Sequence, residues 1–235
     1  MINKGTLVTG VAIAVLLTAG CSGGNDSSNS KNAGLPDTPR AQLVLAAADF
    51  PAGSKLMDIP QDKLKSAAGD ATDAMKNTTV EPAECNSQQG QDYGSIANSL
   101  LTDATIAAAS TDTAIYVDVV SGRTTDLKQM DAANTKCPKV SGTTTISGQT
   151  IHSTTTTEKL PAPTGLSGVD AVVYRISSSS DTGDGQSIQN STLSGWAVVR
   201  GLTVGVRAVF LSGDPDQATF DKVLTTAVDK VRTAK

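Results

Sequence analysis

The side chains able to do covalent or metal chemistry are few: three cysteines, Cys21, Cys85 and Cys137, and one histidine, His152. A single imidazole leaves His-rich zinc sites and histidine-dependent nucleophilic mechanisms short of parts. His152 stands in a threonine-rich run, TISGQTIHSTTTT, where a surface or hydrogen-bonded role competes with that of a ligand. Asp181 and Asp184 flank glycine in Asp-Thr-Gly-Asp-Gly. Calcium needs six or more oxygens at regular spacing, so this reads as a solvated loop. Ser28 and Lys31 match Ser-x-x-Lys by letters, in a stretch where nothing positions a base. Arg175, Arg200 and Arg207 could face an anion across a sheet, or simply solvate its open face. No Gly-x-Ser-x-Gly elbow, phosphate-binding loop, dinucleotide glycine pattern or His-Glu-x-x-His is present in the sequence. The expectation is a non-enzyme with no catalytic residue, no metal and no cofactor; ligand-binding residues stay unassigned.

The cysteines divide by position. Cys21 closes MINKGTLVTGVAIAVLLTAGC, in which Lys4 precedes an uncharged apolar run. About 15 apolar residues are too few to span a hydrocarbon core that needs roughly 20, so residues 1–20 read as an export signal. Leu17-Thr18-Ala19-Gly20-Cys21 resembles the bacterial lipobox, with Thr18 where leucine is usual. That motif implies a diacylated thiol at the new N-terminus; the alternative is an ordinary signal peptide, with Cys21 lost or free. Two acyl chains hold a protein durably where one holds it marginally. Cleavage removes one cation, Lys4, from 19 and no anion from 23, leaving an acidic body that anionic headgroups do not attract. The expected membrane partner is therefore engaged through the lipid, on the extracytoplasmic face. Cys85 and Cys137 remain as an even pair in an exported chain, and the simplest reading is one disulfide. A redox pair more often appears as Cys-x-x-Cys.

These residues need a scaffold, and composition narrows it. The chain has 235 residues, formal charge -4, 38% hydrophobic residues and 3% aromatic. Without clustered Lys and Arg it offers no nucleic-acid surface. Few aromatics leave few stacking platforms for bases or sugars. Residues 21–40 are built of Ser, Gly, Asn, Asp and Pro and read as a flexible tether spanning about 25 Å. Residues 41–235 read as one domain.

Within that domain, AQLVLAAADF suggests a helical turn before a turn at Pro51 and Gly53. Residues 61–76 and 98–109 suggest helices, 114–120 a strand, and 124–135 a helix with Leu127 and Met130 inward. Residues 143–157 predict a hairpin and 171–177 a strand. Residues 193–211 predict two strands turning at Arg200-Gly201. The last element is the clearest: Asp214 as cap, Pro215 at the first helical position, and Phe220, Val223, Leu224, Ala227, Val228 and Val231 as one apolar stripe. The sum is an α+β domain, an antiparallel sheet covered on one face by helices that include the C-terminal one.

The lipobox, the polar tether, Asp49-Phe50-Pro51-Ala52-Gly53, Val80-Glu81-Pro82-Ala83-Glu84-Cys85, Lys136-Cys137-Pro138 and the hairpin from Trp196 together resemble actinobacterial secreted lipoproteins. In particular they resemble the sensor-type extracellular domain of PknH-like receptor kinases. The resemblance implies an α+β sensor fold with a ligand-binding cleft and no established catalysis. The kinase-attached domain has two disulfides, where this chain can form one. A PsbP-like fold shares the same element order. The function expected is that of a lipid-anchored envelope protein whose domain binds a small molecule or a protein partner. The alternative is a lipid or glycolipid carrier, which needs an apolar cavity of roughly 300 to 1,000 Å³.

Overall fold

A computed structural model describes residues 34–60, 63, 66, 78–86, 103–146, 149–181 and 187–235. The export signal, Cys21, Ser28 and Lys31 lie outside the described residues, as do residues 182–185 of the expected Asp181–Gly185 loop. So does the helix expected over 61–76, apart from Lys63 and Ser66, which are helical.

Nine strands form one antiparallel sheet: β1 (Lys55–Met57), β2 (Thr79–Glu81), β3 (Ala104–Ser110), β4 (Ala114–Ser121), β5 (Lys139–Ile146), β6 (Gln149–Leu160), β7 (Asp170–Asp181), β8 (Ser187–Val199) and β9 (Leu202–Phe210). Their spatial order is β1-β3-β4-β9-β8-β7-β6-β5-β2. Strands β5 to β9 run as a meander, and β9 closes on β4. Among the described residues, α1 (Arg40–Leu43), α2 (Leu127–Lys136) and α3 (Gln217–Thr233) are the helices whose full bounds are defined. This is a sheet-rich α+β fold. No helix among the described residues is long and apolar enough to cross a membrane.

Alternation along β7 and β8 explains where the helices go. Val173, Leu193 and Ala197 belong to one apolar cluster, together with Phe220, Leu224 and Val228 of α3. Val172, Tyr174, Ile176 and Trp196 point the other way and join Leu127 and Met130 of α2. The expectation of helices on one face is thus corrected: both faces of these strands are apolar, and each receives a helix. The expected inward residues of α2 and the whole α3 stripe are buried.

Further corrections concern single elements. Residues 104–109, expected as helix, form β3, where Ala108 and Ala109 are buried and pair with Val117 and Tyr116. Alanine favours helix, but pairing along the whole strand with β4, and with β1 at Ala108–Ser110, outweighs a propensity of a few tenths of a kcal/mol per residue. Helix α3 begins later than expected. Its cap is Asp216, not Asp214, and the Asp216 carboxylate accepts from Thr219 N–H at 2.9 Å and Thr219 Oγ1 at 2.7 Å. The β8–β9 turn forms as expected, with Arg200 at φ 50° and Gly201 at φ 75°, the two left-handed positions that match strand twist.

Cys85 and Cys137 are joined. The bridge ties the turn after β2 to the end of α2, immediately before β5, the strand on which β2 pairs.

Candidate functional site

Beyond the start of α3 the sheet continues, and its side chains change character. Strands β6, β7 and β8 run past the helix carrying Thr154, Thr156, Ser177, Ser179, Gln189 and Ser191 on the α3 side. The register aligns Thr156 with Ser177, Thr154 with Ser179, and Ser177 with Ser191. These residues floor a groove of about 690 Å³, walled by Phe210 and the Leu211–Pro215 connection into α3. Threonine and serine suit an extended, half-buried surface, while α3 is too short to cover this end; the floor is therefore polar and open.

Arg175 stands at the inner end of the groove. Its Nη1 donates to Glu158 Oε2 at 3.3 Å and its Nη2 to Gln217 Oε1 at 3.5 Å, both long. Its Nε is buried and has no hydrogen-bond partner among the described residues. An unpaired buried donor costs about 1–3 kcal/mol, so this guanidinium is poised to accept a better arrangement.

The three arginines weighed together in the sequence are separated by the fold. Arg175 alone lines the groove. Arg207 lies on the opposite face, paired in register with Val117 and Ser194, and burial lowers its pKa to about 10. Arg200 serves the far end of the molecule: it donates to Gly34 O at 3.2 and 3.1 Å and to Ala234 O. His152 sits in the β5–β6 hairpin with its Nδ1 3.1 Å from Thr143 Oγ1, outside the groove lining. Among the described residues no three His, Cys, Asp or Glu side chains gather as a metal site.

A second cluster lies beneath the entering chain. Leu43, Leu45 and Phe50 are buried. Leu45 N–H donates to Asp118 Oδ2 at 2.7 Å, and Lys230 pairs with Asp49 at 2.9 Å. Arg40 pairs with Asp103 at 2.7 Å, and the Asp37 and Thr38 N–H groups donate to Lys235 O at 2.7 and 3.2 Å. Residues from Gly34 onward are thereby strapped to the C-terminal end of α3. Sequence reasoning missed both Asp118 and the groove, because each is made by register and long-range cover.

No family model matches the chain. No curated protein matches it. Among solved structures, an uncharacterised Mycobacterium smegmatis protein, an ortholog of Rv0999, is similar at 14% identity and TM-score 0.48, covering 84% of this chain and 99% of that one. The extracellular domain of PknH from Mycobacterium tuberculosis is similar at 12% identity and TM-score 0.44, covering 83% of this chain and 97% of that one.

Proposed function

We propose that this chain is a lipid-anchored protein of the cell envelope whose domain binds a ligand or partner at the polar groove and catalyses no reaction. The lipid is attached at Cys21, and residues 21–40 lead to the domain. One observation carries the reading: the groove and the entry point of the chain lie at opposite ends of α3. The groove touches Asp214 and Pro215 just before the helix, whereas Asp37 and Thr38 bond Lys235 just after it and Arg200 donates to both Gly34 O and Ala234 O. Seventeen residues at 1.5 Å per residue separate the two poles by about 25 Å. A bilayer anchor that enters at one pole attaches the domain at the end remote from the groove and keeps the groove mouth accessible.

The packing also weighs against a carrier role. The α3 stripe is consumed by the sheet, with Phe220, Leu224, Ala227, Val228 and Val231 at 0% exposure, and the groove floor is hydroxylated.

Globomycin treatment and Cys21→Ser test the anchor. Both are expected to retain the unprocessed precursor; Cys21→Ser also abolishes labelling by a radioactive fatty acid, whereas the precursor held by globomycin keeps its label, because acylation of the thiol precedes cleavage. Processing unchanged by both and labelling unchanged by Cys21→Ser refute lipidation. Native mass spectrometry of the purified protein tests the domain reading. Acyl lipid bound within the domain at one-to-one stoichiometry would establish the carrier instead.

A further inference from the structure

Resting on the reading of the groove as a binding site, we infer that its ligand is a neutral, polyhydroxylated molecule, a short saccharide. Five hydroxyls, from Thr154, Thr156, Ser177, Ser179 and Ser191, and the Gln189 amide line one side of it. Each hydroxyl is both donor and acceptor, and a sugar hydroxyl is the ligand group that matches this on both counts. The volume of about 690 Å³ lies within the range of small-molecule sites.

Charge narrows the class. Among the described residues, the lining holds one cation, Arg175, and one anion, Asp214. Glu158, 3.3 Å from Arg175, takes up part of the guanidinium charge. Among these residues a phosphate dianion would find no surplus positive charge, and no described lysine lines the groove. An alkyl chain would strip water from the hydroxyls and return no hydrogen bond. A peptide cannot add as a strand to β6 or β7 along the floor, where both are paired on both sides, and β8 leaves only the four residues Ser187–Asn190 without a β9 partner, too short an edge for an added strand to dominate recognition. A sugar oxygen, by contrast, gives the unpartnered Arg175 Nε–H an acceptor once the loosely held guanidinium turns toward it. Leu211, 50% exposed at the wall, offers an apolar contact for a ring face.

The test is an amide NMR titration of the purified mature protein in zwitterionic detergent micelles. The probes are cellobiose, trehalose and mannobiose, against glucuronate and inorganic phosphate. At least one neutral disaccharide is expected to give saturable shifts confined to amides near 154–156, 175–179, 189–191 and 211–215. Arg175→Gln is expected to weaken that binding at least tenfold. Thr155→Ala, on the opposite face of β6, leaves it unchanged. Shifts from glucuronate or phosphate alone at these amides overturn the saccharide assignment and leave the groove standing as a binding site. Saccharide shifts located elsewhere, or no shift from any of the five probes, overturn the groove as well; the globomycin and Cys21→Ser results then stand or fall separately.

Discussion

Asp118 sits in the middle of β4 with 0% exposure, facing the α3 side of the sheet. Its Oδ2 accepts from Leu45 N–H, and its Oδ1 has no partner among the described residues. Burial pushes its pKa up to about 7, against the opposing pull of the Leu45 N–H and the Lys230 charge. Lys230 is committed elsewhere. Burial also disfavours ionised Asp49, yet the Lys230 ammonium and the Ala46 N–H outweigh it and hold that carboxyl below its ordinary value. The sign for Asp118 follows from linkage. A carboxyl that binds its proton more tightly folded than unfolded contributes stability that is complete below the unfolded value of 3.8, and loses it as pH rises through about 7. The protein is therefore expected to melt at higher temperature at pH 5 than at pH 8. Asp118→Asn keeps a carbonyl for Leu45 N–H and removes the charge. It should flatten that part of the profile and raise the melting temperature at pH 8, by the equivalent of at most about 4 kcal/mol. Equal pH slopes for the two proteins in thermal melts would refute this. The residue was illegible in sequence: an aspartate alternating with valines in a strand reads as solvent-facing, and only the cover by Leu45, more than 70 positions away, makes it internal.

At the scale of elements, the parts with strong local signals were the legible ones. The α3 stripe, the Arg200-Gly201 turn and the two inward residues of α2 follow from period and turn chemistry, whatever surrounds them. Strand β3 was not legible, because its alanines carry a helical propensity that pairing overrides. The close approach of Trp196 to Gly205 across β8 and β9 is equally invisible in sequence. A Cβ on Gly205 would fall inside the van der Waals shell of the indole, whose Nε1 donates to Ser194 Oγ at 3.0 Å. Gly205→Ala should cost about 1–3 kcal/mol. Trp196 is the sole tryptophan, so its fluorescence in urea reports both the loss and the displaced ring. An unchanged midpoint would count against the packing described. The Cys85–Cys137 bridge, legible from cysteine arithmetic, closes a separation of 52 residues and holds edge strand β2 beside α2. Replacing both cysteines by alanine should lower stability by about 4 kcal/mol at most. Denaturation with and without reductant provides the check, and reductant should no longer affect the double variant.

For the whole molecule, the groove shows why a binding site can escape a linear reading. Thr154, Arg175, Ser191, Phe210 and Asp214 come from four strands and a connection. Separately each serine and threonine looks like a solvated face; the register of β6, β7 and β8 makes them one surface. The polarity of the molecule is testable with the protein bound to vesicles that contain a spin-labelled lipid. Amide signals of Gly34, Arg200–Leu202 and Ala234 should broaden more than those of residues 177–179, 189–191 and 212–215. The reverse order would turn the groove toward the bilayer and remove the main support for the proposed function.

The bonds from Asp37 and Thr38 to the Lys235 carbonyl bring the start and the finish of the domain together. A reporter fused after Lys235 therefore emerges beside the incoming tether, at the crowded pole, and leaves the opposite mouth unobstructed. The same reporter inserted between β7 and β8 reverses that arrangement, occluding the groove while sparing the junction of the two ends.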